Sequence, residues 1–173
     1  MHREKMRLII VDENDNEVGV AEAMPGGAPV FARCRATGLL VIAETGHILL
    51  ARRALRKRFA PGQWAESAAG TVEEGETYDT NVYKEAEEEI GLKGIKFQEG
   101  PKRFTAHPDG RNYFQQWYTA RVPAPIEGLR PDPHEVAELK WFEKEELDGI
   151  LERPSADLLW VASQWPWWKE TLL

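Results

Sequence analysis

Glu85, Glu88 and Glu89 stand at i, i+3 and i+4 within a run from Thr77 to Ile90 whose apolar residues recur at helical spacing. That spacing predicts a helix carrying all three carboxylates on one face, their side-chain roots about 5–6 Å apart. Val82, Ala86 and Ile90 share another face, the one expected to meet a core. Thr77 is a suitable N-cap, and Gly91 is well placed as the C-terminal stop. Like charges at i, i+4 cost roughly 0.2–0.5 kcal/mol per pair in an isolated helix. They also occupy the last turns, where the helix dipole favours cations. The helix therefore carries a charge pattern that works against its own stability.

The same segment holds the chain's whole charge imbalance. Lys plus Arg number 22 against 29 Asp plus Glu, a formal net charge of −7. Between Gly70 and Leu92 there are eight acidic residues and one basic residue, Lys84, while the other 150 residues are balanced. An acidic balance argues against a duplex nucleic-acid binder, which needs a basic face. Just upstream, Arg52, Arg53, Arg56, Lys57 and Arg58 form a purely basic run. The carboxylate face has two readings. One is a solvated acidic surface in which Lys84 relieves Glu88. The other is a site for a hard divalent cation, which prefers oxygen ligands. The helix alone leaves both open.

At 173 residues the chain suits one domain of ordinary size. A single cysteine, Cys34, excludes an internal disulfide and a four-cysteine zinc module. No apolar run approaches the roughly 20 residues of a membrane span, and the start, MHREKMRLII, lacks a secretory apolar core. A cytoplasmic protein without membrane contact is the expectation. Strands are predicted over 6–11 and 17–23, as a hairpin around the turn-rich residues 12–16. The breaker cluster from Met24 to Pro29 reads as a linker. Residues 35–44 and 47–53 read as a buried hairpin, Arg56–Gln63 as a basic loop, and Trp64–Thr71 as one short strand. Residues 95–105 and 111–122 bracket the turn His107-Pro108-Asp109-Gly110. A last strand over Glu135–Phe142 precedes helices near 143–151 and 155–169. Strands on both sides of one central helix imply a mixed α/β or α+β layer structure.

Gly70-Thr71-Val72-Glu73-Glu74-Gly75-Glu76, seven residues, then Lys84-Glu85-Ala86-Glu87-Glu88-Glu89-Ile90-Gly91-Leu92 resembles the Nudix box. The family pattern is Gly, five residues, Glu, seven residues, then Arg-Glu-apolar-x-Glu-Glu-x-Gly-apolar. Lys84 stands where the family usually has Arg, and Ala86 is a small occupant of an apolar position. The resemblance implies a Nudix fold: a mixed β-sheet sandwiched between helices, here with an N-terminal β-hairpin extension. Residues 1–32 would form hairpin and linker, and 33–173 the Nudix domain with its C-terminal helix. It further implies that Glu85, Glu88 and Glu89 bind Mg²⁺ or Mn²⁺, with a backbone carbonyl offered near Gly70. Glu76 is implied to pair with Lys84, which keeps the charge of Arg but not its planar two-pronged geometry.

A second resemblance covers the N-terminal half. Val11-Asp12-Glu13-Asn14-Asp15, Arg53-Ala54-Leu55 and Pro61-Gly62-Gln63-Trp64 are similar to type I isopentenyl-diphosphate isomerases, which share the Nudix fold. Those enzymes need a cysteine acid/base just before the box glycine, five residues after the Trp; here that position is Ala69. Two of their metal-binding histidine positions match Cys34 and Thr71. An alanine transfers no proton, so isomerisation by that route is not available. Cys34 itself reads either as a relic of a metal site or as a buried small hydrophobe.

The function implied is metal-dependent hydrolysis of a diphosphate linkage in a small-molecule substrate, such as a nucleoside diphosphate-X. The alternatives are an isomerase-like protein and a non-catalytic nucleotide or metabolite sensor. The general base would be Glu88, Glu89 or a residue outside the box, with Glu135 and Glu138 as candidates. Arg52, Arg53 and Lys57 are candidates for binding substrate phosphates, with Arg56 and Arg58 beside them. Trp117, Phe104 and Tyr113 are either core residues or a stacking surface for a base. The terminal Trp160, Trp165, Trp167 and Trp168 are expected to pack on the domain or on a second subunit, which makes a homodimer an expectation. His2, His47, His107 and His134 form no spaced ligand set and are assigned no role.

Overall fold

The computed structural model describes residues 5–24, 27, 29, 31–107 and 110–173. His2, Pro25, Gly26 and Ala28 of the linker, and Pro108 and Asp109 of the hairpin turn, lie outside the described residues. Strands β1 (Met6–Val11) and β2 (Glu17–Ala23) form the expected antiparallel hairpin. Strand β3 (Arg33–Ala43) follows and is the spine of the sheet. Its apolar run buries both faces. Leu39, Val41 and Ala43 join one core cluster, and Leu40 and Ile42 join another, the alternation expected of a strand covered on both sides.

Both edges of β3 are occupied as well. Strand β8 (Asn112–Val122) runs parallel to it along all of Arg33–Ala43. The opposite edge is shared in succession by β1 at Cys34 and Arg33, by β6 (Ala68–Thr71) at Ala36–Leu39, and by β4 (His47–Arg53) at Val41 and Ile42. Strand β7 (Phe97–Ala106) pairs with β8, and β9 (Val136–Glu143) pairs with β4. The sheet is mixed, as the sequence implied.

Trp64–Thr71 is not one strand. It divides into β5 (Trp64–Ala65), paired with β4, and β6, paired with β3. The chain changes partner at Ser67, which is fully buried. Its backbone N–H donates to Leu39 O, its hydroxyl donates to Leu49 O, and its Oγ accepts the Val41 N–H. Glu135 falls just before β9, because the Glu135 and Val136 N–H groups both close a turn onto Asp132 O. The last helix starts later than the pattern predicts. Asp157 O and Oδ2 accept the backbone and indole N–H groups of Trp64, so residues 155–158 serve β5 rather than a helical turn.

Helix α1 (Tyr78–Ile90) covers one face of the sheet with Val82, Ala86 and Ile90. Thr77 caps it reciprocally with Thr80, and Gly91 closes it in the left-handed region at φ 70°. Helices α2 (Lys144–Ile150) and α3 (Leu159–Thr171) cover the other face with Leu147, Ile150, Val161, Trp165 and Trp168. The terminal tryptophans Trp165 and Trp168 thus pack on their own domain, and both are fully buried. No helix among the described residues is long and apolar enough to cross a membrane. Trp165→Ala opens a cavity under α3 and is expected to cost about 3–5 kcal/mol, read as a lowered urea midpoint; a loss below about 1 kcal/mol would deny Trp165 its place in the core.

Candidate active site

A cleft of about 520 Å³ opens between α1, the loop after β4, and the β7–β8 hairpin. Its floor is β6. Gly70 and Glu85 meet there so closely that a Cβ on Gly70 would fall 2.2 Å from Glu85 Cδ and 2.3 Å from Oε1. Only a residue without a side chain lets that carboxylate lie against the strand. The box glycine is therefore needed for this contact.

All three glutamates of the acidic face line the cleft, which removes the reading of a plain solvated surface. Glu89 is buried, and its Oε2 accepts the Ala69 N–H at 3.0 Å. Glu85 is mostly buried, whereas Glu88 is exposed at the rim. Burial, reinforced by the charge of Glu89, raises the Glu85 carboxyl to about 8, with Lys84 opposing. Burial likewise lifts Glu89 to about 7, against the Ala69 N–H and the charges of Lys57 and Arg53. Near neutral pH the pair is thus held close to a proton that a cation would replace. Among the described residues no three such side chains are already gathered into a ligand shell. The oxygen-only donor set and the Gly70 cradle nonetheless fit a hard divalent ion, with Glu85, Glu88 and Glu89 as the groups that would hold it.

Lys84 does not relieve Glu88. Its Nζ lies 2.6 Å from Glu76 Oε1, 3.2 Å from Glu73 Oε1 and 3.6 Å from Glu85 Oε1. The loop carrying Glu73 and Glu74 is anchored to β1 by a Leu8–Glu73 bridge and an Arg7–Glu74 ion pair.

The basic run divides. Arg53, Arg56, Lys57 and Arg58 line the cleft, whereas Arg52, on the opposite side of β4, does not; it faces Glu138 at 3.6 Å. Alternation along a strand accounts for this: adjacent residues point to opposite faces. Neither Arg52 nor Glu138 lines the cleft. Glu135 lines the cleft and is ion-paired with Lys57.

Aromatic residues close the far end. Phe59 meets His107 edge-on at 5.0 Å and Trp160 at 5.1 Å, and His107 meets Tyr113 at 5.7 Å. The Arg111 guanidinium lies over Phe59 at 4.7 Å. The Trp160 indole N–H donates to Glu66 Oε2 at 3.0 Å. Of the three aromatics read from sequence as core or stacking surface, only Tyr113 lies here. Trp117 is in the core, and Phe104 packs on Phe114 outside the cleft. Sequence reasoning misses Phe59 and Glu66, assigns His107 no role and expects Trp160 only to pack on the domain or on a second subunit, because three distant segments bring these residues together. For Phe59 and His107 the one local sign is an aromatic ring in a basic loop or next to a turn.

Cys34 is fully buried against Leu8 and Ala23 and does not line the cleft, and burial pushes its thiol up to about 11. It is a core residue. Thr71 and Ala69 do line the cleft, where neither offers a titratable group.

Because the folded-state values of Glu85 and Glu89 lie above the ordinary 4.5, their stabilising contribution is full below about pH 4.5 and lost as pH rises through 7 to 8. The metal-free protein is accordingly expected to melt lower at pH 8.5 than at pH 6. Mg²⁺ should raise the melting temperature more at pH 8.5, and Glu85→Gln should flatten both trends in a thermal melt.

The NUDIX domain family model matches residues 32–162. A Nudix hydrolase of Yersinia pestis is 30% identical over 161 residues, covering 90% of this chain and 83% of the relative. An isopentenyl-diphosphate Delta-isomerase of Brevibacterium linens is 29% identical over 163 residues, covering 91% and 86%. Among solved structures, DR0079 from Deinococcus radiodurans superposes with a TM-score of 0.74 at 21% identity, over 91% of this chain and 95% of that one. A MutT protein from Methanosarcina mazei gives 0.64 at 18% identity, over 80% and 94%. The solved structures share the fold of the sandwiched mixed sheet, and the family model spans most of the sequence: the chain belongs to the Nudix family, on a branch akin to the isopentenyl-diphosphate isomerases.

Proposed function

We propose that the protein is a metal-dependent pyrophosphohydrolase that cleaves a nucleoside diphosphate-X or related diphosphate linkage. The observation that carries this reading is one cleft with an acidic ridge, Glu85, Glu88 and Glu89, and basic residues of the loop after β4. Mg²⁺ or Mn²⁺, when bound, would neutralise phosphate oxygens and lower the pKa of a coordinated water. Arg53 and Lys57 contribute fixed positive charge for the same phosphates. Glu85 is held in place by the Gly70 cradle, and Glu89 by the Ala69 N–H. Glu88, Glu89 and Glu135 are the candidate general bases within the cleft.

The aromatic end supports a planar X group or base. Phe59, Tyr113 and Trp160 offer ring surface, and Arg111, His107 and Gln115 offer polar edges. The isomerase names among the relatives favour a second reading, prenyl diphosphate isomerisation. Ala69 weighs against it, since its methyl group neither gives nor takes a proton.

With Mg²⁺ or Mn²⁺, hydrolysis is expected of at least one member of a panel of nucleotides, sugar nucleotides, dinucleotides and prenyl diphosphates. Glu88→Gln and Glu89→Gln should lower kcat by about 10²–10⁴-fold; no hydrolysis, or full activity in both variants, sinks the proposal, and an isomerised prenyl diphosphate reverses the two readings. Trp160→Leu should raise KM for a nucleotide substrate about tenfold at little cost in kcat, in line with about 1–3 kcal/mol of base stacking. An unchanged KM removes the aromatic end from recognition.

A further inference from the structure

Asn81 lies one turn before Glu85 on α1 and is completely buried. Its helix neighbours in the core, Val82, Ala86 and Ile90, are apolar. A buried carboxamide costs stability unless both of its ends are bonded, and here both are. The buried Thr37 hydroxyl donates to Asn81 Oδ1 at 2.6 Å. Asn81 Nδ2 faces three acceptors: Glu76 Oε2 at 2.9 Å, the Thr71 carbonyl at 3.2 Å and Glu85 Oε1 at 3.4 Å. Three acceptors on one side require the NH₂ there, so the orientation of the amide follows from its surroundings.

Glu76 is the hub of this network. Lys84 holds its Oε1 at 2.6 Å, while Asn81 and the Glu73 N–H, at 3.0 Å, hold its Oε2. Burial alone would push the Glu76 carboxyl up, but these three donors together bring it below the usual carboxylate value. An ammonium is a compact charge that serves one oxygen well; a guanidinium would reach both from a single side chain.

We propose that Asn81 is a positioning residue for Glu85: with Lys84 it forms a divided clamp on the Glu76 carboxylate, and the same amide sets the Glu85 carboxylate against Gly70. The clamp does with two side chains what one arginine at position 84 would do alone. This inference rests on the metal site of the proposed function, and its test separates the two.

Mn²⁺ binding by calorimetry and thermal unfolding in EDTA are measured for the wild type, Asn81→Ala, Lys84→Arg and the double variant. Asn81→Ala is expected to weaken Mn²⁺ by about 10–100-fold, the usual loss when a partner of a metal ligand is removed. Lys84→Arg alone should stay within about threefold of the wild type, and should restore the double variant to about that level, because its fork spans both Glu76 oxygens. In EDTA the double variant should melt above the sum of the two single effects. Wild-type Mn²⁺ affinity in Asn81→Ala, or no recovery in the double variant, overturns the proposal. If the wild type binds no Mn²⁺, the proposed function falls, and the clamp is decided by the EDTA melts: additive effects overturn it. Where Asn81→Ala does not fold, the cycle is run with Asn81→Leu, which fills the volume without a donor. If that also fails to fold, recovery of a folded, Mn²⁺-binding protein on adding Lys84→Arg supports the clamp, and failure to recover overturns it.

Discussion

Every part of the site depends on how the backbone of β3 is satisfied. One edge is paired with β8 from end to end, which leaves the other to be divided among β1, β6 and β4. The middle portion of that edge is where β6 lies, and β6 carries Ala69 and Gly70 into the cleft. The pairing Thr37↔Gly70 puts the glycine in the path of Glu85, and Ala69, next in the strand, turns its N–H to Glu89. Because both faces of β3 are apolar and covered, this arrangement is anchored by two cores rather than one. A slip of one residue would exchange those faces and take the glycine away from the carboxylate.

The acidic ridge is a local cost that the fold offsets only in part. Glu85 and Glu89 are raised by burial, yet each has donors or cations beside it: Lys84 and Asn81 for the first, Ala69 N–H, Lys57 and Arg53 for the second. Removing a partner from a buried charge is expensive, so the groups around the ridge serve stability and chemistry together. What they leave is a pair of carboxyl groups whose protons a divalent ion entering the cleft would replace.

Much of this was legible from residue spacing. The helix limits, its Thr77 cap and Gly91 stop, and the hairpin strands 6–11 and 17–23 follow from local periodicity and turn chemistry, which act within a few residues. The errors also have local causes. Arg52 and Arg53 are alike in composition, and only the strand's facing separates the first from the cleft. Trp64–Thr71 reads as one β run, because nothing in its sequence shows that Ser67 ends pairing with one strand and the next residues begin pairing with another. Asn81 is not singled out by the sequence at all, since its four partners come from β3, β6, the box loop and α1 itself.

By itself the sequence determined the spacing of charge: three carboxylates on one helix face, one basic residue among eight acids, and a glycine at a set distance upstream. These are properties of a chain with a 3.6-residue repeat, and they hold whatever the helix packs against. Only the tertiary structure decided that the face is a cleft wall rather than a wet surface, since burial is a relation between segments. It also decided which of the basic residues share that cleft, and it brought Phe59, His107 and Trp160 from three separate segments to its far end. Contacts over such separations are set by strand pairing and by the two cores, which no local pattern encodes.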